Sequence, residues 1–147
     1  MSGAIWVLNG PNLNRLGTRE PEIYGTTTLA EIEAWCREEA GARDLVFRQT
    51  HSEAEMIDWI HEAIDTGAAG LAINPAAFTF QSMAVMDALK MVSAPVIELH
   101  ISNIHTRGPR YTDSLMSEVV TAIVAGLGAR GYPLAVRALI DMDADRA

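Results

Sequence analysis

Short apolar runs alternate with amphipathic stretches along this chain, and few folds accept that pattern. The first run, Ala4 to Leu8, stops at Asn9-Gly10-Pro11-Asn12. Turn residues packed that tightly close a strand and open a loop, here expected to extend to about Gly25. From Thr28 onward, Leu29, Ile32 and Trp35 or Cys36 share one face, opposite Glu31, Glu33, Arg37 and Glu38. That is helical spacing, and Gly41 ends it. The alternation continues with LVFRQT as strand, EAEMIDWIHEAID as helix, GLAIN as strand, QSMAVMDALKMV as helix and APVIELHI as strand. A polar loop, a fifth apolar run VVTAIVAG and a last helix from about Ala129 to Met142 complete it, with DADRA expected to fray. Strands and helices alternating at this pace imply βαβ units and a parallel sheet covered on both faces. The expected fold is a flavodoxin-like α/β three-layer sandwich with a five-stranded parallel sheet, in one domain spanning 1–147.

Composition narrows the function. At 147 residues the chain can bury a core without disulfide staples. The apolar runs fall well short of the ~20 residues of a membrane span, so no membrane partner is expected. The opening MSGAIWVLNG lacks a basic leader region and passes directly into a strand pattern, so no secretory signal is expected. Cys36 is the one cysteine, and a reducing cytoplasm is the natural setting. A net charge of −8 repels polyphosphates, and no basic run opposes it, so nucleic acid is not an expected partner. A small acidic ligand remains open if a few cations gather locally.

In open parallel sheets, ligands bind beyond the carboxyl ends of the strands. Here those ends are polar. The first strand is followed by Asn9, Asn12, Arg15, Arg19 and Tyr24; the third ends at Asn74; the fourth ends at His100, Ser102 and Asn103, with Arg107 beyond. Alternation along a strand puts Glu98, His100 and Ser102 on one side, so that the carboxylate can fix the tautomer and angle of the imidazole. Singly, each residue has a plain explanation: Asn12 as a turn former, Tyr24 as a half-buried loop residue, Arg19 as a solvated charge, His100 as a core histidine satisfied by Glu98. Their convergence on one sheet edge favours a site. Other chemistries lack residues. NGPNLNRLG has neither the glycine spacing nor the lysine of a phosphate loop. The histidines lack partners at metal-ligand spacing, so no metal is expected. Cys36 sits mid-helix as a structural thiol, and the single lysine, Lys90, leaves a Schiff base almost nothing to use.

The blocks NGPNLNRLGTREPEIYGTTTLAEIE, SEAEMIDWIHEA, INPAAFTFQS, APVIELHISNIHTR and GLGARGY resemble the type II 3-dehydroquinases over nearly the whole chain. The resemblance implies cofactor-free dehydration of 3-dehydroquinate to 3-dehydroshikimate through an enolate, in a dodecamer built from trimers. Carried over by position, Tyr24 is the base beside the ketone and Arg19 its neighbouring cation on a mobile loop. Asn12 holds the water at the enolate oxygen, and His100, oriented by Glu98, protonates the departing hydroxyl. Asn74, Ile101 and Ser102 take the substrate carboxylate, and Asp87 reaches into an adjacent subunit's site. Arg107 and Arg110 stand beside the pocket as further binding candidates.

Three positions depart from that family. Its usual Thr-His-Thr-Ser reads Thr79-Phe80-Gln81-Ser82 here, so a hydroxyl-reading histidine is replaced by Phe80. Tyr111 stands where an arginine reading the same hydroxyls is expected, with Arg110 adjacent, and Met86 stands where an arginine often precedes the aspartate. The changes fall on the hydroxyl-reading half and leave the proton-transfer residues intact. Three readings follow: the family reaction, with Arg110 and Gln81 compensating; the same chemistry on another β-hydroxy ketone acid; and a non-catalytic module binding a small acid or a flavin.

Overall fold

The computed structural model describes residues 3–147; Met1 and Ser2, which open the stretch expected to carry no leader, lie outside them. Five strands form one parallel sheet in the order β2-β1-β3-β4-β5. They are β1 (Ile5–Asn9), β2 (Leu45–Gln49), β3 (Gly70–Asn74), β4 (Val96–His100) and β5 (Ala122–Ala125). This is the flavodoxin-like order, with its switch point between β1 and β3.

Strand β1 shows how the layers arise. Ile5 and Val7 point to one face, where they join Ile32 and Cys36 of α2 (Leu29–Ala40) and Tyr132, Val136 and Leu139 of α6 (Gly131–Arg146). Trp6 and Leu8 point to the other, with Met56 and Ile60 of α3 (Glu53–Asp65) and Val85 and Leu89 of α5 (Met83–Leu89). Both faces of the central strands are thus covered, which is why GLAIN and IWVLN read as continuous apolar runs rather than as alternations. Two helices begin with a side-chain cap: Thr28 Oγ1 accepts from the N–H of Glu31 at 3.2 Å, and Ser52 Oγ from that of Glu55 at 3.1 Å. Each such cap contributes about 1 kcal/mol and fixes where the strand-to-helix loop must end.

The structure differs from the sequence reading in three places. The segment expected as one helix from Gln81 is divided: α4 (Phe78–Gln81) makes one turn, and Ser82 takes an extended conformation before capping α5 through the N–H of Val85 at 3.0 Å. The loop after β1 carries a 3-10 turn at Leu13–Arg15 and a one-turn helix, α1 (Pro21–Tyr24). The DADRA tail does not fray at its start, because α6 runs to Arg146 and Asp143 lies 3.1 Å from the Arg43 guanidinium. Among the described residues, no helix is long and apolar enough to cross a membrane.

Candidate active site

A cavity of about 230 Å³ opens at the carboxyl edge of the sheet, above β1, β3 and β4. Asn12, Arg19, Tyr24, Asn74, Phe80, His100, Ile101, Ser102, Arg107 and Tyr111 all line it. Glu98 stands directly behind His100. Asp87 and Arg110 do not reach it: Asp87 is exposed on α5 and Arg110 is exposed on the 3-10 turn Pro109–Tyr111.

Two backbone features shape the cavity floor. Gly10 follows β1 so closely under the exit of β3 that a Cβ there would lie 2.4 Å from the Pro75 carbonyl oxygen; its N–H donates to Asn74 O at 2.8 Å. Among the described residues, Asn12, Glu20 and Ala76 alone have positive φ without being glycine, and all three line the cavity. Backbone held in such sparsely populated regions must be over-determined by its surroundings.

Beneath the floor lies a buried relay. The Tyr132 hydroxyl donates to Asn9 Oδ1 at 2.7 Å and accepts from Asn74 Nδ2 at 2.9 Å. Asn9 Nδ2 in turn donates to Arg48 O at 3.0 Å, and Asn74 Oδ1 accepts from Ala76 N–H at 3.2 Å. Burial pushes the Tyr132 phenol far above its usual range, so it remains a neutral hydroxyl.

On one wall, the Arg19 guanidinium sits 4.3 Å from the Tyr24 ring centroid, and its Nη2 is 3.4 Å from the phenol oxygen. Arg107 lies between two phenols, 5.6 Å from the Tyr24 centroid and 4.3 Å from that of Tyr111. Tyr111 in turn meets Phe80 edge to face, with centroids 5.4 Å apart at 81°. Two of the three positions where the chain departs from its family resemblance, Phe80 and Tyr111, therefore touch each other and form one aromatic wall, while Met86 is buried in the core on α5.

At the end of β4, His100 Nε2 and Glu98 Oε2 are 2.6 Å apart. Ser114 Oγ donates to the same oxygen at 2.6 Å, and Ser117 Oγ donates to Oε1 at 2.6 Å. Burial alone would raise the Glu98 carboxyl. The hydrogen bonds from His100, Ser114 and Ser117 outweigh it and hold the group below the usual carboxylate range, so it stays ionised. With Nε2 committed to Glu98, Nδ1 is the imidazole nitrogen left for the cavity.

Sequence reasoning passed over Ser114, Ser117 and Tyr132. The serines lie in a polar loop without periodicity, and Tyr132 reads as one more apolar position in the first turn of the last helix; only the tertiary structure brings them to Glu98 and Asn74. Cys36 is fully buried, and that burial, with Glu33 adding to it against Arg37, pushes the thiol up to about 12. Among the described residues, no group of three or more His, Cys, Asp or Glu is arranged to hold a metal ion.

Phenol and guanidinium lining one cavity together with a carboxylate-backed imidazole, at the switch point of a parallel sheet, are the groups of an enzyme of the acid–base type. Comparison with known proteins makes the class specific. The family model "Dehydroquinase class II" matches residues 3–140, and the chain belongs to that family. It is 53% identical over 138 residues to "3-dehydroquinate dehydratase 2" of Agrobacterium fabrum, covering 92% of this chain and 93% of that one. It is 50% identical over 141 residues to the 3-dehydroquinate dehydratase of Rhizobium meliloti, covering 95% of each. The crystal structure of the type II dehydroquinase from Propionibacterium acnes superposes with a TM-score of 0.91 at 48% identity, over 96% of this chain and 98% of that one.

Proposed function

We propose that this chain is a hydro-lyase that converts 3-dehydroquinate to 3-dehydroshikimate through an enolate. The observation that carries the reading is the cavity itself, whose lining holds Tyr24 beside Arg19 and also His100, backed by ionised Glu98. The Tyr24 phenolate removes the proton next to the ketone. The adjoining Arg19 guanidinium, with Nη2 3.4 Å from the phenol oxygen, is placed to hold that oxygen toward the substrate. The enolate oxygen is stabilised by a water held on Asn12, and His100 Nδ1 gives a proton to the hydroxyl, which leaves as water. Tyr24 then gives its proton to solvent and His100 takes one up from solvent, which resets both groups and leaves the loss of one water as the net reaction. Asn74 and the Ile101–Ser102 segment receive the substrate carboxylate. None of these steps calls on a metal or organic cofactor. Family membership favours this enzyme over a non-catalytic acid or flavin carrier.

Exposed Asp87 serves the cavity of a neighbouring subunit, in a homo-oligomer built from trimers into a dodecamer, and the enzyme works in the cytoplasm. Arg110 remains outside the cavity unless the 108–112 turn closes with substrate bound. The test is a steady-state assay on 3-dehydroquinate, following growth of the enone absorbance. Tyr24→Phe and His100→Ala are each expected to lower kcat by roughly two to four powers of ten. Wild-type rates in either variant would defeat the assignment, and a monomer by size-exclusion chromatography would defeat the assembly.

A second reading rests on the Phe80–Tyr111 contact, which gives the distal wall a hydrocarbon face where hydroxyls would need donors. It predicts another β-hydroxy ketone acid with fewer or differently placed hydroxyls. An unpaired desolvated hydroxyl costs about 1–3 kcal/mol, so a Phe80→His, Tyr111→Arg double variant is then expected to raise kcat/KM for 3-dehydroquinate by roughly two to four powers of ten. No gain would leave the family substrate in place.

A further inference from the structure

His51 takes no part in the steps above, is exposed, and does not line the cavity. It nevertheless holds a residue that does. Its Nδ1 accepts a hydrogen bond from the backbone N–H of Asn12 at 3.1 Å, across 39 positions of sequence. Asn12 is in the left-handed region, with φ 69 and ψ −1, a conformation uncommon outside glycine that asparagine reaches more readily than most and that a partner elsewhere in the fold can act as a fixture to hold. Its side chain makes no capping bond of its own.

The imidazole is well placed to be that fixture, because the chain on either side of it is pinned. The Thr50 N–H donates to Asn9 O at 2.9 Å, and the Ser52 N–H donates to Thr50 Oγ1 at 2.9 Å, just before Ser52 caps α3. One turn of chain away, Gln49 Nε2 donates to Gly10 O at 3.2 Å. The end of β2 therefore grips the loop after β1 at two points, one through a donor and one through an acceptor. The acceptor grip requires the tautomer in which Nδ1 carries no proton, since a protonated nitrogen would face the Asn12 N–H donor to donor.

We propose that His51 is a positioning residue for the dehydration: by accepting the Asn12 N–H it fixes the left-handed backbone there and so sets where the Asn12 amide lies in the cavity. This inference rests on the reading of Asn12 as the group that serves the enolate oxygen. His51 acts through Asn12 and touches no substrate.

The experiment is a kinetic double-mutant cycle on 3-dehydroquinate with four proteins: wild type, His51→Leu, Asn12→Ala and the double variant. A fifth, His51→Asn, supplies an Oδ1 at the same bonded distance from Cβ as Nδ1. His51→Leu is expected to lower kcat on the order of tenfold with little change in KM, and His51→Asn to restore most of that loss. In the Asn12→Ala background, His51→Leu is expected to have almost no further effect, because both changes remove one contribution. His51→Ala replaces leucine if that variant does not fold by circular dichroism. A kcat for His51→Leu within twofold of wild type, or the same loss with and without Asn12, or no rescue by His51→Asn, would overturn the proposal. An unchanged kcat in Asn12→Ala alone would instead sink the assignment of Asn12.

Discussion

Replacing Tyr132 by phenylalanine would remove one oxygen from beneath the cavity and leave the ring in place. Asn9 Oδ1 would lose a donor at 2.7 Å and Asn74 Nδ2 an acceptor at 2.9 Å. Neither amide can turn to find another partner, because Asn9 Nδ2 is committed to Arg48 O and Asn74 Oδ1 to the Ala76 N–H. Both are buried, at 0% and 4% exposure. Each stranded buried group costs about 1–3 kcal/mol, and the desolvation of the lost hydroxyl is recovered, so the expected net loss is roughly 2–4 kcal/mol. For a chain of this length each kcal/mol moves the melting temperature by about 2–4 °C, giving a fall on the order of 10 °C. Urea unfolding followed by tryptophan fluorescence would measure the difference, with an unchanged denaturant slope as the check that the two end states are the same. KM for 3-dehydroquinate is expected to rise as well, since Asn74 is proposed to hold the carboxylate. A loss below about 0.5 kcal/mol, within the range of an ordinary surface change, would refute the accounting.

Three further outcomes follow from single contacts. The Glu98 carboxyl is held below its unfolded value of about 4.3, so its contribution to stability is complete above that value and is lost as pH falls through the lower folded one. Glu98→Gln should therefore flatten the decline of melting temperature with acid below about pH 4.3, and an equally steep decline would contradict the assignment. Cys36, buried and pushed up to about 12, should resist an aromatic disulfide reagent in the native protein at pH 8 and react fully once urea unfolds it; rapid native labelling would show the helix to be open. Gly10→Ala places a Cβ 2.4 Å from the Pro75 carbonyl, and a loss of about 1–3 kcal/mol with a lowered kcat is expected by unfolding and assay; a variant as stable as wild type would mean that the two loops slide apart freely.

Where local pattern and tertiary need coincide, the sequence was legible. GLAIN and EAEMIDWIHEAID match their elements end to end, because Gly and Ser mark their starts and burial dictates their period. Glu98 and His100 could be paired from strand alternation alone, and the polar residues after β1, β3 and β4 could be gathered by the rule for parallel sheets. The division at Ser82 was hidden, because a serine within a helical pattern reads equally as a solvated position; its role as stop and cap is settled by the carboxylate of Glu53, to which its hydroxyl donates at 2.5 Å from another helix. The helical start of the DADRA tail was hidden for a similar reason: Asp143 meets Arg43 only once α6 has packed beside α2. The role of His51 was hidden as well: its spacing speaks only against a metal site, and nothing near it in sequence announces that its partner is the main chain of Asn12.

The three bonds at Glu98 divide the labour of the chain. His100 and Ser114 both reach Oε2, so a single carboxylate oxygen fastens the two ends of the intervening loop, as a knot closes a lasso. Everything hung on that loop, Arg107, Arg110 and Tyr111 among it, can drift or be exchanged while the His100 imidazole stays moored. Selection, or an engineer grafting a new cassette between Asn103 and Asp113, is thereby offered a way to reshape the cavity without rebuilding the His100–Glu98 pair.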